Sequence, residues 1–117
     1  MEDIFEFKNP KVEYLYKENM FVLLEDYYTP ECVIPAGFKT NGASTGRLLQ
    51  SLYPSYYKYF PAAIVHDYMY ETGCKPKDYA DKLFEYNIKT RLKMGPQYYF
   101  LMYQAVRFFG GKHYNQK

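Results

Sequence analysis

One segment of this chain, AAIVHDYMY at residues 62–70, sets a histidine and a carboxylate side by side in an otherwise apolar run. His66 and Tyr70 are four apart and share one helical face, whereas Asp67 points about 100° round the axis from His66. A carboxylate that holds one ring nitrogen of a histidine leaves the other to take a proton from water. Asp81 is the candidate for that carboxylate. Counted from Cys74 in the turn TGCKP, His66 lies eight residues back and Asp81 seven forward. In an antiparallel hairpin rising about 1.5 Å per residue, the two come nearly level. Asp81 also shares a stripe with Phe84, Ile88 and Leu92 that should face the core, where an unpaired carboxylate is costly. His66, Asp81 and Tyr70 are therefore the candidate catalytic group.

Asp67, on another face, is a candidate calcium ligand, with oxygens of a nearby glycine-containing loop completing the set. TNGASTG is a suitable loop, and Asn41 and Gly42 are its candidate ligands. Apart from calcium no cofactor is expected. A second reading of the same residues is open: a buried His–Asp–Tyr network that holds two helices in register without catalysis. Other histidine chemistries lack parts. His113 is the only other histidine, no histidine precedes His66 to build a phosphohydrolase site, and no thiolate pair or H-x-x-x-H supports zinc. A nucleophile elbow and a phosphate-binding glycine loop are also missing.

The elements that must position these residues read as α+β, in one domain over 1–117. The β-rich part is 1–40 and the helical part 44–110. DIFEFK, VEYLY and MFVLLEDYY alternate or carry β-formers, with turn signals at Asn9-Pro10 and Lys17-Glu18-Asn19. CVIPAGFKT reads as a short edge strand because Pro35 cannot donate to a ladder. A small antiparallel sheet is expected, followed by three to four helices. The first runs from Ser44 or Thr45 through GRLLQSLY, and the second starts at Pro61 and stops at Gly73. The third runs from Pro76 or Asp78 to about Lys93, stopped by Gly95. The fourth starts at Pro96 and stops at Gly110-Gly111.

Composition narrows the partners. A net charge of +2 is too small to argue for specific nucleic-acid binding, and no apolar run approaches the roughly 18 residues of a spanning helix. The acidic, alternating start is not a signal peptide. Cys32 and Cys74 make neither a framework nor a metal spacing. The 16 tyrosines and 9 phenylalanines include clusters suited to a contact surface.

Two resemblances follow from these motifs. AAIVHDYMY followed by ADKLF resembles the active-site helices of the phospholipase A2 superfamily, most closely the disulfide-free version in parvovirus capsid proteins. That likeness implies His66 as general base, Asp67 as calcium ligand, and Tyr70 and Asp81 as the groups orienting the histidine. The superfamily's own glycine-rich calcium loop is missing here. Over a longer span, Val33 to Phe109, the ordered set IPAGFKTNGAS, AAIVHDYMY, ADKLF and LMYQAVRFFGG is similar to a family of small tailed-phage and prophage proteins of unknown function. Its members usually carry aspartate where this chain has Asn41. These likenesses imply a phage- or prophage-encoded protein, in the bacterial host cytoplasm or the virion. As a calcium-assisted hydrolase it would act on lipid or cell-envelope esters. As a non-catalytic structural or host-interaction protein it would bind a phage or host protein.

Overall fold

The computed structural model describes residues 4–40 and 56–109. The expected α+β order holds: strands first, helices after. Strands β1 (Val12–Leu15), β2 (Met20–Leu23) and β5 (Lys39–Thr40) form an antiparallel sheet in the order β1-β2-β5. β3 (Tyr27–Tyr28) and β4 (Val33–Ile34) form a separate antiparallel pair. The turn at 16–19 uses Asn19 at φ 54, a left-handed position that asparagine tolerates.

Two strand expectations are corrected. Residues 4–11 form no strand; Phe7 stacks on Tyr27, the Tyr27 hydroxyl donates 2.5 Å to the Lys8 carbonyl, and the Lys11 carbonyl accepts from the Leu24 amide at 2.9 Å. CVIPAGFKT is not one edge strand but two, because the chain turns at Pro35–Gly37. There Gly37 takes φ 91 and the Ala36 amide donates to Asp26 Oδ1 at 2.8 Å. That turn moves Lys39 and Thr40 across to β2, where Thr40 pairs with Phe21.

The helices are α1 (Phe60–Thr72), α2 (Lys77–Tyr86) and α3 (Pro96–Phe109). A 3-10 turn (Tyr56–Tyr59) leads into α1 and a π-helical turn (Asn87–Arg91) extends α2. The helix expected from Ser44 or Thr45 lies outside the described residues, as do Gly110 and Gly111. α1 is buried on nearly every side, with Ala62 to Asp67, Met69 and Tyr70 all inside. One of its faces packs with Leu23, Tyr27 and Ile34 from the strands. Another, through Ala62 and Ala63, packs with Phe84, Ile88, Met102 and Val106 from α2, the π turn and α3. A helix that is apolar all round belongs in the middle of a fold. His66 and Asp67, in the middle of α1, are therefore buried polar side chains.

Stop signals account for the hairpin. Gly73 has φ 65 and its amide closes α1 onto the Met69 carbonyl at 2.9 Å, the αL ending that glycine favours. The next stop differs from expectation. The π turn ends with Lys93 at φ 54 and Met94 N–H bonded to the Ile88 carbonyl, so the left-handed residue comes before Gly95. The Gly95 carbonyl instead accepts from Tyr98 and Tyr99 at the start of α3. Gly95 opens the last helix rather than closing the previous one. A half-buried fork then locks the π turn to the β3–β4 loop: both Arg91 terminal nitrogens lie 2.8 Å from Glu31 carboxylate oxygens.

Because Gly73 sets the hairpin, Gly73→Ala should cost about 1–2 kcal/mol, the penalty of a left-handed residue with a Cβ. Gly73→Asn should cost less. Urea denaturation of the three proteins checks the order.

Candidate functional site

His66 and Asp67 lie on the central helix but look in different directions. His66 faces α2: its Nε2 is 2.8 Å from Asp81 Oδ1, and its ring lies 4.8 Å from that of Phe84. Asp67 faces the sheet, where its Oδ2 accepts a hydrogen bond from the Thr40 hydroxyl at the end of β5. The roughly 100° between successive helical residues thus sends the two side chains into different surroundings. The expectation that His66, Asp81 and Tyr70 come together is met.

Asp81 is the centre. Tyr70 donates its hydroxyl to the same oxygen, Oδ1, at 2.6 Å, and its ring lies against His66 with centroids 4.1 Å apart. The other oxygen, Oδ2, accepts from Lys77 Nζ at 2.7 Å. The carboxylate is only 3% exposed. Burial on its own would raise the Asp81 carboxyl, but the bonds from His66, Lys77 and Tyr70 outweigh it and hold the group below its usual range. With Asp81 ionised and accepting, the hydrogen of its bond to His66 is on Nε2. A neutral His66 therefore carries its lone pair on Nδ1.

Lys77 was not singled out from the sequence, although its i, i+4 spacing to Asp81 was a signal for it. Its ammonium also donates to the carbonyls of Val106 and Arg107, each at 3.1 Å. Those carbonyls belong to the last turn of α3, where a cation is favourable. Tyr70 Oη lies 3.4 Å from the same Val106 carbonyl. The Asp81 network therefore joins α1, α2 and α3, not only the two helices of the hairpin. Thr40 is a second residue that sequence reasoning passed over. Only the pairing of β5 with β2 reveals that it reaches Asp67.

The metal expectation divides in the same way. Asp67 is 8% exposed and presents a carboxylate beside the Thr40 hydroxyl, and all-oxygen donors suit a hard cation. Asn41 and Gly42 follow Thr40 directly in the chain but lie outside the described residues. Among the described residues no group of three or more His, Cys, Asp or Glu converges to hold a metal. A cation at Asp67 would therefore depend on backbone and amide oxygens as well. Cys32 and Cys74 are both free thiols. No described helix is long and apolar enough to cross a membrane.

Comparison with known proteins supplies a family. Residues 18–106 match the family model DUF1353, described as a protein of unknown function, and the chain belongs to that family. The matched span holds His66, Asp67, Tyr70, Lys77 and Asp81. No curated protein and no solved structure matches the chain.

Two outcomes follow from the buried carboxylate. Asp81→Ala should destabilise the protein by about 3 kcal/mol or more, because His66, Tyr70 and Lys77 each lose a bond to a buried carboxylate; a change below about 0.5 kcal/mol would mean a solvated carboxylate. Asp81 is held low in the folded state, so its contribution is complete above the ordinary carboxylate value near about 4. It is lost as pH falls through the folded value. The urea midpoint of wild type should therefore drop in acid more steeply than that of Asp81→Asn.

Proposed function

We propose that this DUF1353 protein is a calcium-assisted hydrolase, with His66 as general base and Asp67 as a ligand to the ion. The observation that carries the reading is the 2.8 Å bond from His66 Nε2 to an Asp81 oxygen shared with Tyr70. It puts the basic lone pair on Nδ1 and fixes the plane of the ring. In the reaction Nδ1 takes a proton from water while the water oxygen bonds to an ester carbonyl carbon. The tetrahedral oxyanion then collapses, the carbon–oxygen bond to the alcohol breaks, and the proton on Nδ1 passes to the departing alkoxide. Asp81 stays ionised throughout and steadies the imidazolium.

The ion's share is electrostatic: calcium would lend positive charge to the developing oxyanion. Asp67, with oxygens of Asn41 and Gly42, would hold it. Lipid or cell-envelope esters are the substrate class we assign, in a phage or prophage setting. The motif order from Val33 to Phe109 and the local likeness to phospholipase A2 helices support that assignment.

A second reading rests on a different observation. The His66 side chain is 0% exposed, and Lys77 extends the network into α3. On that reading the four groups hold three helices in register. The protein is then a non-catalytic structural or host-interaction component, in the virion or the host cytoplasm. Exposed tyrosines such as Tyr16 and Tyr28 would supply its contacts with a phage or host protein.

One set of variants separates the two. His66→Gln keeps an amide donor for Asp81, so it should fold, yet it should lose turnover on a phospholipid and ester panel if His66 is the base. Asp67→Asn should mainly weaken the dependence on calcium. Asn41→Asp should tighten calcium binding in a calorimetric titration, because a formal charge replaces an amide oxygen. No heat of binding up to about millimolar calcium, the weak end of protein calcium sites, together with equal rates for wild type and His66→Gln, would reject the hydrolase.

A further inference from the structure

The last helix carries large apolar side chains on the face turned away from its buried one. α3 buries Met102 and Val106. At about 100° per residue, the opposite arc runs through Arg107, Phe100, Gln104, Gln97, Phe108 and Leu101 in that order. Phe100 is 55% exposed, Leu101 46% and Phe108 67%. Large apolar side chains gathered on one exposed helical arc mark an interaction surface more clearly than the same number scattered.

Charge says what kind of surface it meets. All 13 acidic residues of the chain lie at or before Glu85. From Tyr86 onward the sequence has six cations, Lys89, Arg91, Lys93, Arg107, Lys112 and Lys117, and no acid. Lys89 and Lys93, ahead of α3, and Arg107, in its last turn, are exposed. The overall charge of +2 conceals this separation, because the first 31 residues hold eight acids against three lysines. Arg107 lies at the edge of this arc, whereas Lys89 sits over the Tyr99 ring on the packed side; exposed large apolar side chains beside a cation, in an acid-free stretch of sequence, have the character of a helix that lies in a lipid interface. Anionic headgroups attract such cations before the rings enter.

We propose that the outward arc of α3 docks the protein on an anionic phospholipid surface, with Phe100, Leu101 and Phe108 inserted and Arg107 at the headgroups. The inference concerns a different surface from the His66 site and does not depend on its chemistry. The test is co-sedimentation of the full chain with vesicles of phosphatidylglycerol mixed with phosphatidylcholine, beside vesicles of phosphatidylcholine alone. Wild type should bind the mixed vesicles, bind neutral ones much less, and be weakened by salt. The double variant Phe100→Ser with Phe108→Ser should bind about tenfold more weakly or worse, with an unchanged circular dichroism spectrum. Arg107→Glu leaves the apolar arc in place, and it should weaken binding to the mixed vesicles while leaving binding to neutral ones as it was. If the double variant does not fold, Arg107→Glu decides the matter alone. Absence of binding to anionic vesicles, or binding that neither variant reduces, overturns the proposal. So does a wild-type dimer in sedimentation that the double variant abolishes without any vesicle binding, since the arc would then serve a second copy of the chain.

Discussion

The architecture of the helical half depends on one buried carboxylate. A lone charge is costly inside a protein, and Asp81 is tolerable there because three donors converge on its two oxygens. Each donor brings a structural consequence. His66 and Tyr70, one turn apart, fix the rotation of α1 against α2. Lys77, on Asp81's own helix, reaches over to the carbonyl end of α3. A cation at a helix C-terminus is favourable in its own right, so Lys77 balances two negative ends at once. This arrangement is a device for specificity as much as for stability: an apolar replacement would pack, but it would not dictate which helical faces meet.

The central position of α1 explains how one turn of helix serves two environments. Its neighbours lie on both sides, so consecutive residues enter different surroundings. His66 falls among aromatic rings and the Asp81 carboxylate, while Asp67 meets the hydroxyl at the end of β5. The two acids cannot exchange roles. Asp81 takes donors on both oxygens and holds a tautomer; Asp67 accepts from Thr40 on the sheet side. On the proposed reading, this division keeps acid–base chemistry at His66 apart from charge at Asp67.

Much of the arrangement was legible in the sequence, for local reasons. Gly73 as a stop, Pro61 near a start, and nearly equal separations from Cys74 to His66 and Asp81 are properties of a few adjacent residues, and they placed the His66–Asp81 pair. The parts that were not legible are tertiary. The division of CVIPAGFKT into β4 and β5 depends on the Gly37 turn and on Asp26 reaching the Ala36 amide. The π turn is accompanied by the Arg91–Glu31 fork, formed with a loop 60 residues away, and nothing near Asn87 announces it. Lys77 was partly visible, since its spacing to Asp81 was plain, but its contacts with α3 were not. Asn41 and Gly42 lie outside the described residues, so the calcium expectation stays with the titration of Asn41→Asp.

The most direct test of the account is the protonation of the His66 ring, since every role given to Asp81 fixes which nitrogen carries the proton. Long-range proton–nitrogen NMR of the labelled protein reads this, with a His113→Gln variant to assign the two histidines. At a pH where the ring is neutral, His66 should be the Nε2–H tautomer, with a bare Nδ1. A bare Nε2 with a protonated Nδ1 would contradict the account, because Asp81 would then have no proton to accept from His66.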